Sequence, residues 1–461
     1  MPYAGAFALQ QTSRNCHWPQ SADNCIHKYR MANLCATTHN YEFGHAILGP
    51  VIAGFALLLV REAERRKLRR LAFVARDGDL LREATRRLLH HFSMPAAPEL
   101  TYVHLSRRAT ALPALDAMDA AAVEAAAAVR AGPLTLGMLL EFHGLSANRL
   151  INRLEKHKLG LDTRISSPSL LSDLFADKEF QSEITTSIAE QKDLLSSYLA
   201  QQGLQAGSST ALVDIGWRGS IQNNLSKAFP GILTGLYFGL WAEDGFTDSL
   251  PSNSLGIICD QRRGRDLHEG AAWYAGHLLE AICRASEGTT LGYREVDGQI
   301  VPLLAADGSR SAEIQSAAVA EVIRTGILDR MEELAKDTSW RCQTDDQLQR
   351  AAQDSLFQLA FFPCPAAITI GKSLVHTEGH ANGWSAPLIA SGPHRPLTSP
   401  RQWLAGLSSP WRAGYVCSTG GTGLAWLFLG AEATLGCLPP KARPLLANLA
   451  RRWAGLPTVQ Q

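Results

Sequence analysis

The chain has little with which to staple itself. Its nine cysteines are scattered over 461 residues, and none stands in a Cys-x-x-Cys pair. Disulfide scaffolds are far denser in cysteine, so a reducing compartment is expected and the fold must rest on its own core. An excess of charge is also missing: 44 Lys and Arg against 43 Asp and Glu leave a formal +1. That balance gives no long-range pull toward nucleic acid or an anionic membrane, and it confines anion recognition to a local site. The opening residues lack a basic cluster followed by an apolar run, so no secretory leader is expected. One uncharged stretch, AILGPVIAGFALLLV at 46–60, runs for 15 residues. A bilayer span needs roughly 20. With Gly49-Pro50 near its start and a cationic surface from Arg61 to Arg70 behind it, the stretch reads as a buried core helix rather than a membrane span.

What the chain does have is core material. Hydrophobic residues make up 46% and charged residues 19%, the mix of a soluble, cytoplasmic-type globular protein. Wholesale disorder and collagen-like structure are excluded. In the first forty residues Cys16, Cys25 and Cys35 lie near His17, His27 and His39. Zinc sites use tighter ligand pairs than these, so residues 1–40 are expected to be a poorly ordered tail.

From residue 41 the pattern alternates. Residues 41–115 read as the first part of an α/β core: a helix at 51–67, the strand LAFVA at 71–75, a helix at 79–91 and the strand LTYVHL at 100–105. Residues 116–205 contain no good strand and read as a helical insertion or cap. Strands return at 210–213, 232–241 and 254–259, making 206–307 the second part of the core. Residues 308–461 read as helical, then irregular where Gly, Pro and Trp accumulate. Strand–turn–helix–strand order predicts an α/β fold, Rossmann-like, with a mostly parallel sheet.

Three motifs fall where an apolar strand ends and a helix begins, the edge at which open α/β sheets bind ligands. In LAFVARDGDLL, Arg76 can grip phosphate, Asp77 can hold Mg²⁺ or a hydroxyl, and Gly78 permits a tight turn. In YVHLSRRA, Arg107 and Arg108 offer positive charge, while Ser106 can be a nucleophile or a plain helix cap. ALVDIGWRGSIQ is the most informative. Gly216 and Gly219 shape a loop, Arg218 adds charge, Trp217 offers a flat face, and Ser220 and Gln222 follow at the helix start. Backbone N–H groups of such a loop can cradle phosphate while Asp214 binds metal or a ribose hydroxyl. A weaker signal is WYAGHLLEAICRASEGTTLGY, where His277 and Glu280 share a helical face and can act as acid and base.

Taken together, YEFGHAILGPVIAGF, LAFVARDGDLL, YVHLSRRA, LVDIGWRGSIQ, HLLEA, EGTTLGY and LSSPWRAG resemble the carboxyl-terminal region of large bacterial proteins classed as hydrolases of the haloacid dehalogenase (HAD) superfamily. Such proteins occur among genes for surface-polysaccharide synthesis and glycosyl transfer. The resemblance runs from about residue 41 to 414 and implies a phosphate-recognising hydrolase or transferase acting on a phosphorylated sugar or nucleotide-like substrate. It implies Mg²⁺ as the cofactor, and a glycosyltransferase or a separate HAD domain as partner. Those relatives open on an Asp-x-Phe-Asp-Thr motif with a nucleophilic Asp, and residues 1–40 hold nothing like it. Asp77-Gly78-Asp79 can stand in as an Asp-x-Asp pair with Ser106 behind it, although Leu81 occupies a position where Thr or Val is usual. The loop at 214–220 also looks like the pyrophosphate-sugar loop of phosphoribosyltransferases, with Asp214-Ile215 in place of two adjacent acids. A non-catalytic binding or partner module that kept the pocket is a further alternative. So is DNA binding through the helix-turn-helix outline at 134–160, which carries Arg149, Arg153, Lys156 and Lys158.

Overall fold

The computed structural model describes residues 36–436, apart from 93–96, 128–132, 205–208, 232, 243–249, 265–266, 308–309, 379–383 and 392–398. Its centre is a sheet of five parallel strands: β1 (Arg70–Val74), β2 (Glu99–Val103), β3 (Thr210–Asp214), β4 (Thr234–Leu240) and β5 (Ser254–Asp260). Their spatial order is β2-β1-β3-β4-β5, and each neighbouring pair is parallel. The protein is therefore α/β and Rossmann-like. Parallel strands are covered on both faces, which is why the inner strands β1, β3 and β4 read as short, mostly apolar runs, while the edge strand β2 is partly exposed.

The covering helices used below are α1 (Gly49–Arg65), α2 (Gly78–His90), α3 (Arg107–Ala111), α4 (Lys178–Gln201), α5 (Ser220–Ala228), α6 (Gly276–Cys283), α7 (Ser311–Lys336) and α8 (Asp345–Phe361). Alternate strand residues divide between two layers. Leu71, Phe73, Ala211, Val213, Leu236 and Phe238 face the core shared with α1, α2, α7 and α8. Ala72, Val74, Val103 and Leu212 face the opposite layer, with Leu195 and Leu199 of α4 and Leu225 of α5.

Helix α1 is apolar all round because it is central: Val51 to Val60 are all buried, between α7, α8 and α2. The continuous helical stretch Thr38–Arg65 is long and apolar enough to cross a bilayer, and most of it is buried inside the protein. A helix over Ala36–Phe43 and a π-helical turn over Gly44–Leu48 lead into α1. Residues 36–40 of the stretch expected to be a tail are thus helical, with His39 among them. Cys16, Cys25, Cys35, His17 and His27 lie outside the described residues.

The described part of 116–205 is largely helical with a core of its own, built from Leu136, Leu139, Leu150, Leu154, Phe180 and Ile184. The helix pair anticipated there is present as Leu136–Phe142 and Ala147–Lys156. Its basic residues face acids of α4 and its cap: Arg149 pairs with Glu190 at 3.2 Å, Arg153 with Glu183 at 3.0 Å, and Lys156 with Asp177 at 2.9 Å. Three of the four cations named for a DNA backbone are therefore neutralised within the protein. Two antiparallel hairpins were not legible in the sequence: β6 (Thr290–Val296) with β7 (Gln299–Leu304), and β8 (Val375–Glu378) with β9 (Trp384–Pro387). Beyond residue 308, α7 and α8 pack directly on α1.

Candidate active site

The connections leave β1 and β3 in opposite directions, β1 toward β2 and β3 toward β4. The carboxyl ends of these two adjacent strands form the switch point where open α/β sheets leave a crevice. Asp214 is the last residue of β3, and Asp77 follows β1 at the entry to α2. Non-proline cis peptides occur in both turns, at Ala75–Arg76 and Gly216–Trp217.

Asp77 occupies the N-cap position of α2, yet its side chain caps nothing, and it accepts no hydrogen bond among the described residues. Asp214 accepts one hydrogen bond, from the Ile215 N–H at 2.8 Å. Both keep some accessible surface although protein encloses them. Burial and the charge of Glu280 push Asp77 up to about 6, against the pull of Arg284 and Arg76. Burial and Asp77 push Asp214 well above the usual carboxylate range, with the Ile215 N–H and Arg107 opposing. Two like charges crowded into one enclosed place call for a positive charge, either a proton or a cation.

Glu280, on α6, lies beside them and is organised differently. Its Oε1 accepts a hydrogen bond from the Trp217 indole N–H at 2.9 Å. Its Oε2 lies 3.3 Å from His277 Nδ1 and 3.7 Å from His376 Nδ1, and the two imidazole centroids are 4.0 Å apart. Burial works against the charged form of Glu280, but His277, His376 and Trp217 together hold it below the ordinary range. His376 arrives on β8. Burial, followed by the charge of His277, lowers it to about 3 despite Glu280. Cys283, at the end of α6, is buried near Asp77, and both influences raise its thiol out of reach of ionisation.

Positive charge is distributed unevenly around this cluster. Arg107 is exposed, makes no ion pair among the described residues, and acts electrostatically on Asp214 and His376. Arg76, by contrast, is committed to Glu313 at 2.7 Å. Glu313 also receives Arg310 at 3.2 Å, Arg284 at 3.4 Å and the hydroxyl of Thr377. Burial disfavours its charge, but Arg76 and Arg284 outweigh that and bring it down to about 2.

The remaining residues singled out in the sequence are placed as follows. Asp79 is turned away from Asp77 into ion pairs with Arg324 and Arg82, so the two acids do not form an Asp-x-Asp pair on one ligand. Ser106 caps α3 by accepting from the Ala109 N–H at 3.0 Å and donates to the Thr290 carbonyl at 2.6 Å. Arg108 points to the helical insertion, where Glu141 supports its charge against burial. Gly78 packs α2 on β1; a Cβ there would lie 3.0 Å from the Phe73 carbonyl carbon. In the loop after β3, Gly216 has φ +133° and lies so close to β4 that a Cβ would sit 2.1 Å from the Gly239 oxygen. Gly219 has φ +63° at the N-cap of α5, and Ser220 opens that helix. Trp217 is buried against Trp273 and offers no open face for a ring; its part is to hold Glu280. Gln222 is buried, donates to the carbonyls of Leu233 and Asn253 and accepts from Tyr237, so its polar atoms brace the fold. Arg218 is half-buried in the same loop. Sequence reasoning missed His376 and Glu313, which come from elements that no motif connects to the strand ends, and passed over Arg284 inside the segment that carries His277 and Glu280.

No protein-family model matches the chain, and no curated protein does.

Proposed function

We propose that the protein is an enzyme, a HAD-like hydrolase or transferase, acting at the β1/β3 switch point on a phosphorylated sugar or nucleotide-like substrate in surface-polysaccharide metabolism. The observation that carries this reading is the Asp77–Asp214 pair, two proton-hungry carboxylates at adjacent strand ends with the uncommitted guanidinium of Arg107 beside them. Structural ion pairs lower carboxylate pKa values, whereas these are raised, the pattern of groups kept for chemistry. The polysaccharide setting rests on the motif resemblance.

Asp77, titrating near 6, is suited to take the proton of an attacking water or sugar hydroxyl, and Arg107 to neutralise the phosphate under attack. Asp214, which holds its proton more tightly, can return one to the leaving oxygen as the old P–O bond breaks. Asp77 has no hydrogen bond and Asp214 only one; with both deprotonated their oxygens would fit Mg²⁺, which prefers carboxylates and water, and the ion would then stand in place of the proton on Asp214. Once bound, Mg²⁺ would supply neutralisation of phosphoryl charge.

The test is turnover and calorimetric binding with a panel of sugar phosphates and nucleotide sugars. D77N and D214N are expected to lower turnover by about 10²–10⁴-fold without lowering the melting temperature. Binding without turnover by the wild-type chain would make it a non-catalytic module. Neither binding nor turnover across the panel would end the phosphate reading.

A further inference from the structure

We propose that His277, Glu280 and His376 form a site for one borderline divalent transition ion, of the zinc class, separate in ligand set from the Asp77–Asp214 pair. One ligand atom from each of the three residues lies within 4.8 Å of the others. Ligands about 2.0–2.1 Å from a tetrahedral ion stand about 3.3–3.4 Å apart. The contacts of 3.3 and 3.7 Å from the two imidazoles to one carboxylate oxygen are therefore already near coordination spacing.

Independent elements build this arrangement. His277 and Glu280 are three residues apart on α6 and so share a face, while β8 delivers His376 from the far side. The Trp217 indole occupies Oε1 of Glu280 and leaves Oε2 directed at both rings. A ligating carboxylate anchored through its second oxygen is the usual support for a metal ligand. Trp217 is 8% exposed and His376 5%, whereas the His277 side chain keeps 40% of its surface, so the site is walled by Trp217 and His376 and open on the His277 side.

Ligand chemistry selects the ion. Two imidazole nitrogens and one carboxylate oxygen suit Zn²⁺, Fe²⁺ and Co²⁺ rather than Mg²⁺ or Ca²⁺. Three protein ligands leave a coordination position open, as catalytic rather than structural sites do. Glu280 lies within the electrostatic reach of Asp77, so an ion here would act on the same ligand as the strand-end carboxylates. The inference rests on the ligand set alone and does not require the substrate to be a phosphosugar.

Full-length protein stripped with chelator and titrated with Co²⁺ tests it, because the visible d–d bands report ligation directly. About one equivalent of Co²⁺ should bind, be displaced by Zn²⁺, and resist a large excess of Mg²⁺. H277A and H376A should each weaken binding by about 100-fold or more, and D77N should leave it intact. E280Q keeps the side-chain shape and should also lose the ion. It decides the matter if a histidine variant fails to fold by melting and circular dichroism. Absence of stoichiometric Co²⁺ uptake overturns the site, as does equal uptake by wild type, E280Q and both histidine variants. If Co²⁺ binds as expected but no phosphorylated substrate is bound or turned over, the metal site stands and the phosphosugar reading falls.

Discussion

Two acid clusters lie close together at the ends of the same strands, and they are built on opposite plans. Around Glu313 every charge is answered: Arg76, Arg284, Arg310 and Thr377 all meet one carboxylate that is 8% exposed. Asp77 and Asp214, close enough for the charge of one to raise the other, accept a single hydrogen bond between them. Arg76 separates the two, following β1 next to Asp77 in sequence yet spending its guanidinium on Glu313. Satisfied buried charge fixes a structure, whereas unsatisfied buried charge costs stability and persists where a ligand relieves it.

The contrast has opposite signs in pH. Glu313 falls from 4.5 to about 2 on folding, so its contribution is complete above about pH 4.5 and is lost as pH drops toward 2. Asp77 rises from 3.8 to about 6, so the folded state binds its proton better. Stability from that group is greatest below about pH 3.8 and is lost as pH climbs through 6.

The largest effect should come from breaking the satisfied cluster. E313A strands the buried Arg310 and the half-buried Arg76 and Arg284 and is expected to cost about 3–5 kcal/mol in chemical denaturation. Next is D77N, which should act the other way. It removes an ill-placed charge and should stabilise by at most about 3 kcal/mol near pH 8, the gain vanishing below about pH 4 while turnover is lost. A D77N protein less stable than wild type at pH 8 would mean that Asp77 is a structural acid after all. R107A should leave the melting temperature unchanged and weaken phosphosubstrate binding about tenfold, read by calorimetry. Smallest is S106A, which removes a helix cap. About 1 kcal/mol should be lost with turnover preserved, and a collapse in turnover would return Ser106 to the chemistry.

The sheet was legible because most of its parallel strands are apolar runs, three of them cut off at or near an Asp. LAFVA, TALVD and SLGIICD carry both signals, and the strands form there. The edge hairpins were not, because β7 is largely exposed and β8 and β9 are four residues each, too short for a periodic pattern. At the site, Asp77, Asp214, His277 and Glu280 could be read from strand-end and helical spacing. His376 could not, since only the docking of β8 against α6 brings it there. Trp217 and Gln222 show the opposite error. Both sit in the most informative loop, and both are spent on holding it together.

The β8–β9 hairpin has a consequence for the order in which the protein becomes competent. All five sheet strands have left the ribosome by Asp260, and α6 by Cys283, well before His376 is synthesised. A nascent chain can therefore close its sheet and bring Asp77 beside Asp214 while the imidazole pair is still half made. Cleavage ahead of Val375 with loss of the released segment would remove one of the two ring donors together with the core residues Leu388, Ile389, Trp411 and Tyr415.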